Sequence, residues 1–593
     1  MKLVIGYSIF LMVSILCLMI CIGYLIIRRF IYPSSIPSLE GMTYSIRIYI
    51  MLNTLFFLLL SYSIISIYLR PDPYIRPLGY FISISLMAVI VANEILFLQP
   101  KKSYIRFTLC KIIIIGLSLQ YSQILIFPSI VGVDPWWHQW FTLNILDQGH
   151  IPEGLEYSKL PLMQLMIGMT SLITDLGYKV ATMFSISSLQ VICDALFVFL
   201  LGKFLISTKV GLLAALLLEV ANSHILFGYW TIPNTMAATL ILPIIFIYFK
   251  LRRDNSFIST LLTIFIMGTL ILTHTITSMC LAILIFVFWL SSTAYARLFD
   301  EKINQSVNWT ICILFSTVMF AYWSYISGHI LTLANLIKMG FYNPLVNWRY
   351  SSLYYIPLLE RAVHHLGKFL YFGFSFIGCF YMSSKQFRNS NRFITIIGGM
   401  IILGLDFLSI IMMKDIISNR WDYFSQILMA VPLSLSLLLL NGIFKNRFIK
   451  IFLMSLSIFS LSFLLIISSL ANIDNRFFSP NIGVRSAFTE SELQAMKTIS
   501  EIWNGTIGCD RYGRIPYIFQ LNREFADIDD SLYSGDFTDL QDIMILVREE
   551  IVKHSFFTSR GLLKLKYNLH IALDNQNFSN IYDCGSVNGY LQN

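Results

Sequence analysis

Charge is scarce in this chain: Asp, Glu, Lys and Arg make up 13% of its 593 residues, against about 25% in an ordinary soluble domain. That shortage excludes a water-facing surface over most of the length. Also missing are the short alternating segments separated by turns that build a membrane β-barrel. The nine cysteines are mostly single and sit inside apolar stretches, which reads as small buried hydrophobes. Cys509 and Cys584 lie instead in the polar C-terminal segment, where a disulfide between them is one option. Histidines and carboxylates show no tight metal-ligand spacing, so metal ligands stay unknown and a divalent ion is left open. No internal repeat stands out, which weighs against a transporter built from inverted halves. No small-residue cleavage site precedes Arg28 and Arg29, so the first apolar stretch is expected to remain as an anchor.

What is present is apolar sequence. Hydrophobic residues make up 56%, and runs near the roughly 20 residues needed to cross a bilayer recur from residue 3 to residue 470. This predicts a polytopic α-helical membrane protein. Short cytoplasmic loops collect Lys and Arg. By that rule Arg28, Arg29, Lys101, Lys102, Arg106 and Lys111 mark the inside. Crossings are expected at 46–69, 77–98, 112–131, 180–203, 210–228, 232–249, 256–273, 276–294, 307–330, 366–383, 393–412, 423–441 and 449–471. With the first anchor they make about 14, and residues 160–177 lie in the interface. The N-terminus and the C-terminal segment both face outward, across a plasma membrane.

The chain divides into N-terminal transmembrane helices (1–131), a first large outer loop (132–161), a transmembrane core (162–471) with an outer loop at 331–365, and a C-terminal domain (472–593). The last part holds 11 basic and 16 acidic residues, and the rest 31 basic and 17 acidic. A basic membrane part with an acidic tail fits anionic lipid headgroups and not nucleic acid. Thr489 to Glu492 matches a capping box, and Leu493, Met496, Ile499 and Trp503 recur at helical spacing. A small α/β or mixed domain is expected there.

The loop at 132–161 is rich in unusual residues: Asp134, Pro135, Trp136, Trp137, His138, Trp140, Tyr157 and Lys159. Pro135 favours a helix start, with Asp134 as its cap and His138 one turn on. The carboxylate then either caps a helix behind a tryptophan belt, or accepts a proton from an attacking hydroxyl. Arg420, at the start of a late span, is either a phosphate-binding guanidinium or a snorkelling anchor. Arg349, Trp348 and His274 fall in or beside other outward turns.

Residues 132–161, with Tyr157 to Leu162 entering the next helix, resemble the first outer loop of GT-C superfamily membrane glycosyltransferases. His274 with Thr275 and Thr277 resembles an archaeal-like variant of that class, and the polar C-terminal domain is similar too. The resemblance implies transfer of a sugar from a polyprenyl or dolichyl phosphate to a hydroxyl of a glycan, lipid or protein, with inversion. It implies Asp134 as base, helped by His138. Arg420, Arg349 and Lys159 would hold the donor phosphate, and Trp136, Trp137, Tyr157, His274 and Trp348 would contact sugar or acceptor. The rival expectation is a lipid or solute transporter or flippase, for which Asp194, Glu219 and Asp406 are intramembrane candidates.

Overall fold

A computed structural model describes residues 46–97, 101–254, 256–300, 306–342, 357–385, 387–412, 420–444 and 446–593, apart from 475–477, 479, 482, 522, 541 and 559–560. The first expected anchor, Trp348 and Arg349 lie outside the described residues. The chain is a polytopic helical membrane protein with a small mixed domain at its C-terminal end. Among the described residues ten helices are long and apolar enough to cross a bilayer.

In chain order the helices are α1 (Ile46–Tyr68), α2 (Leu78–Leu96), α3 (Lys102–Leu125), α4 (Asp134–Gln148), α5 (Leu162–Thr174) and α6 (Tyr178–Leu205). Then follow α7 (Thr208–Glu219), α8 (Asn222–Tyr229), α9 (Pro233–Asp254), α10 (Phe257–Ile271), α11 (Thr275–Phe299), α12 (Ser306–Tyr322) and α13 (His329–Tyr342). The set closes with α14 (Leu358–Met382), α15 (Ser390–Met412), α16 (Arg420–Gly442) and α17 (Arg447–Ile466). α1 buries only Phe56 and Ser63 and turns a nearly all-apolar surface outward, as a lipid-facing helix does. By contrast α2, α7 and α16 are mostly buried in the bundle centre.

The expected and observed crossings differ for physical reasons. The expected span 210–228 is two helices, α7 and α8, bent by 57°. α10 has 15 residues, roughly 22 Å at the α-helical rise, which is short of a ~30 Å hydrocarbon core. α14 has 25 residues but carries Glu360, His364, His365 and Lys368 in its first half. α5, with 13 residues, is too short to cross, and exposes Met169, Leu172 and Ile173. The segment expected as outer loop 331–365 is helical at both ends, in α13 and α14. The crossing expected at 112–131 begins ten residues early, at Lys102, because Lys111 is no loop marker. Its ammonium is buried, ion-paired with Glu94 and bonded to Asn53 Oδ1 at 2.6 Å.

The C-terminal domain opens with α18 (Glu490–Ile502), whose capping box between Thr489 and Glu492 is formed. A five-stranded sheet follows in the order β2-β1-β3-β7-β6: β1 (Ile507–Cys509), β2 (Phe525–Asp527), β3 (Met544–Arg548), β6 (Phe578–Asp583) and β7 (Val587–Gln592). β1 runs parallel to β2 and β3, whereas β3, β7 and β6 are antiparallel. β4 (Phe556–Thr558) and β5 (Gly561–Leu563) form a separate hairpin. Cys509 is buried and Cys584 exposed, both as free thiols, so the disulfide option is not taken.

Candidate active site at the domain-bearing end

The domain is tied to the bundle at the loop that carries Asp134. Gly132 N–H donates to the Ser486 carbonyl at 2.8 Å, and Phe488 N–H donates to Ser129 Oγ at 2.8 Å. Below them Arg76 forks onto Asp474, with Nη2 2.7 Å from Oδ1, and both side chains are buried. Burial alone would pull the Arg76 guanidinium down, but Asp474 outweighs it and holds it above its usual value. Gly132 has φ +99°, and a Cβ there would stand 2.8 Å from the Trp230 ring. Both the left-handed backbone and the contact require glycine.

α4 begins at Asp134 itself. Val133 occupies the cap position and Pro135 the first turn, so Asp134 is not the expected N-cap. Its side chain is exposed while Pro135 and Trp136 behind it are buried. Across the junction stands Tyr512 of the domain, whose hydroxyl is pushed up to about 12 by burial, with the Asp134 carboxylate among the smaller contributors. The loop carboxylate and the domain thus share one electrostatic neighbourhood.

His138 does not form the expected pair with Asp134. It is buried, with Nδ1 2.9 Å from the Gln164 side-chain nitrogen, and burial lowers its imidazole to about 3. Burial disfavours the charged form of this ring, which makes it a weak proton acceptor. Trp136 is also misplaced for sugar contact. Its ring is 1% exposed and packs edge-on to Phe488, at 5.9 Å, inside a core shared with the domain. Trp137 and Tyr157 are half-buried, 5.5 Å apart, and Tyr157 also stands edge-on to His138 at 5.1 Å. Lys159 is exposed on the same segment, and its carbonyl accepts from the Tyr322 hydroxyl at 2.7 Å.

His274 caps α11. Its Nδ1 accepts from Thr277 N–H at 3.2 Å, and Thr277 Oγ1 donates to Asn234 Oδ1 at 2.5 Å. Buried in this role, it is a structural residue rather than an exposed sugar contact. α16 begins at Arg420, whose side chain lies outside the described residues. Two and three residues on, Asp422 accepts from Ser223 Oγ at 2.5 Å, and the Tyr423 hydroxyl lies 3.3 Å from His224. α8 carries both partners and leads up to Trp230, which packs on Gly132. The Arg420 end of α16 and Asp134 therefore point toward the same end of the bundle.

Sequence reasoning missed Lys368. It bridges Asp406 at 3.1 Å and Asp422 at 2.9 Å, joining α14, α15 and α16 behind Arg420. The signal was the i, i+4, i+8 spacing of Glu360, His364 and Lys368 on an otherwise apolar helix. No group of three or more metal-ligating side chains is placed to hold an ion among the described residues.

No family model matches the chain, and no curated protein matches it. Solved structures do. One is ArnT from Cupriavidus metallidurans bound to undecaprenyl phosphate, at 8% identity and TM-score 0.48, covering 82% of this chain and 97% of that one. Another is the Archaeoglobus fulgidus oligosaccharyltransferase in the apo form, at 11% identity and TM-score 0.47, covering 87% and 74%.

Proposed function

We propose that this chain is a membrane glycosyltransferase that moves a sugar from a polyprenyl or dolichyl phosphate to a hydroxyl acceptor at the domain-bearing face. One observation carries the reading. Asp134 is an exposed carboxylate at the first turn of α4, where the domain meets the bundle, beside Tyr512 and close to the half-buried Trp137 and Tyr157. An acceptor oxygen attacks the anomeric carbon, the bond from that carbon to the phosphate oxygen breaks, and the acceptor proton passes to Asp134. Attack opposite the leaving group inverts the centre. The departing lipid phosphate is a stable anion, so fixed positive charge serves it better than an acid. Arg420 is the proposed source of that charge, with Lys159 and Arg349 as helpers. Trp137 and Tyr157 supply the aromatic faces for sugar or acceptor, and Trp348 keeps the same proposed role. His138 orients Tyr157 and Trp137 instead of taking a proton.

The test is purified protein with a panel of labelled lipid-phosphate sugars. Asp134→Asn should cut transfer by at least ~100-fold, within the range for loss of a general base, while donor binding survives. Transfer at the parental rate would remove Asp134 from the mechanism. A transporter remains the second reading, because the broken α7–α8 crossing and the buried Asp194, Glu219 and Asp406 are features of transport sites. It predicts lipid or solute movement in proteoliposomes that is untouched by Asp134→Asn.

A further inference from the structure

The break between α7 and α8 surrounds a polar cluster that the proposed chemistry does not use. Glu219 ends α7, His224 lies in the first turn of α8, Asp194 projects from the middle of α6, and Tyr423 from the first turn of α16. All four are 0% exposed. His224 Nε2 is 3.2 Å from Glu219 Oε2. On the other side, Nδ1 is 3.5 Å from Asp194 Oδ2 and 3.3 Å from the Tyr423 hydroxyl, which itself donates to Asp194 Oδ2 at 2.9 Å. The packing makes room for these groups. A Cβ at Gly116 on α3 would stand 2.0 Å from Glu219 Oε2, and one at Gly228 on α8 would stand 2.0 Å from Gln120 Nε2.

The Gln190 amide donates to the Tyr423 oxygen at 2.8 Å and to the His224 carbonyl at 3.2 Å. Both of its hydrogens are thereby used, so Nδ1 receives none from Gln190, and the arrangement that satisfies Asp194 and Tyr423 on that side places a hydrogen on Nδ1. The contact between Nε2 and Glu219 then needs a second hydrogen, on the ring or on the carboxyl. A neutral imidazole between two carboxylates is one proton short. Asp194 Oδ1 and Glu219 Oε1 have no hydrogen-bond partner among the described residues.

Among the described residues no other positive charge faces the cluster. Lys111 is paired with Glu94, and Lys368 with Asp406 and Asp422. Besides the four groups, α6 offers only Cys193, next to Asp194. α3 offers the Gln120 amide, since Tyr121 is turned to Ser188. On α16, Asp422 is turned to Ser223.

We propose that Asp194, His224 and Glu219 hold one extra proton inside the bundle, and that this proton fixes Tyr423 and with it the α16 turn that begins at Arg420. The proton shared by His224 and Glu219 cancels one of two buried negative charges. Without it the carboxylates repel across the ring, and the helix break has no reason to stay closed around them. The positioning of Arg420 rests on the glycosyl-transfer reading; the bound proton does not.

Two measurements on the full chain in lipid nanodiscs separate the halves. Nitrogen-15 histidine NMR and infrared spectroscopy of the carboxyl stretch, at neutral pH, count the proton directly. Either a doubly protonated His224 ring or one protonated carboxyl is expected, with its band lost in Glu219→Gln or Asp194→Asn. A neutral ring with both carboxyls ionised in the parent protein overturns the proposal, and this arm needs no variant to fold. In the second arm, Tyr423→Phe should raise KM for the lipid-phosphate donor roughly tenfold, the factor for losing one hydrogen bond to a charged group, whereas Glu219→Gln, neutral without the proton, should keep the parental KM and hold it to higher pH. The effect of Tyr423→Phe on kcat should be smaller. An unchanged donor KM in Tyr423→Phe overturns the positioning role, as does a Glu219→Gln variant whose KM rises with pH as the parent's does. A parent that transfers no sugar refutes the glycosyl-transfer reading and leaves the proton count standing.

Discussion

Replacing Arg548 by Met should undo the domain from its centre. The guanidinium is 1% exposed and forks onto the fully buried Asp510, with Nε 2.9 Å from Oδ1 and Nη2 2.6 Å from Oδ2. Asp510 also accepts from the backbone N–H of Tyr512 at 3.1 Å and of Gly513 at 3.2 Å. Breaking one side of a buried ion pair costs about 3–5 kcal/mol, because a charge is left without its partner. Two backbone donors remain in the variant, which places Arg548→Met near the lower figure, about 3 kcal/mol. That is a change of roughly a hundredfold in the ratio of folded to unfolded domain.

Asp510→Asn combined with Arg548→Met removes both charges and should cost less than Arg548→Met alone, by about 1 kcal/mol or more. The pH dependence has a definite sign. Burial alone would raise the Asp510 carboxyl, but Arg548 outweighs it and holds the group below its usual range. The pair therefore stabilises the domain fully above the ordinary carboxylate range, and that contribution is lost as pH falls through the folded value. Pulse proteolysis of the domain in detergent-solubilised full chain, against urea and pH, reads all three quantities. A single variant within 0.5 kcal/mol of the parent, roughly the scatter for a neutral surface change, would refute the reasoning.

Two further changes test the junction. Gly132→Ala forces a side chain onto φ +99° and into the Trp230 ring, so it should destabilise the loop by about 1–3 kcal/mol, seen as faster proteolysis between residues 128 and 160. Trp136→Ala removes a ring buried against Phe488 and should cost about 3–5 kcal/mol, read as detachment or unfolding of the C-terminal domain. If Trp136→Ala leaves the domain intact and weakens only sugar binding, its assignment to packing is mistaken.

Helical periodicity and length made the membrane helices legible before any coordinates, since each apolar run must satisfy its own backbone hydrogen bonds in lipid. The capping box at Thr489 and the helix behind it were equally local and equally legible. The charge rule failed at Lys111 because a lysine in sequence looks the same whether it faces the cytoplasm or Glu94. The break in the 210–228 stretch was hidden for a related reason: composition records apolarity, not direction.

Sequence alone determined that this chain is a bundle of membrane helices with a polar C-terminal domain and an acidic, aromatic-rich first loop. Tertiary structure decided which members of that loop are available. It left Asp134 exposed beside Tyr512, sealed Trp136 under Phe488, and held His138 on Gln164. Residues two or four apart on one short helix differ this way because helical rotation sends them to different neighbours, Gln164 from the next helix and Phe488 and Tyr512 from hundreds of residues away.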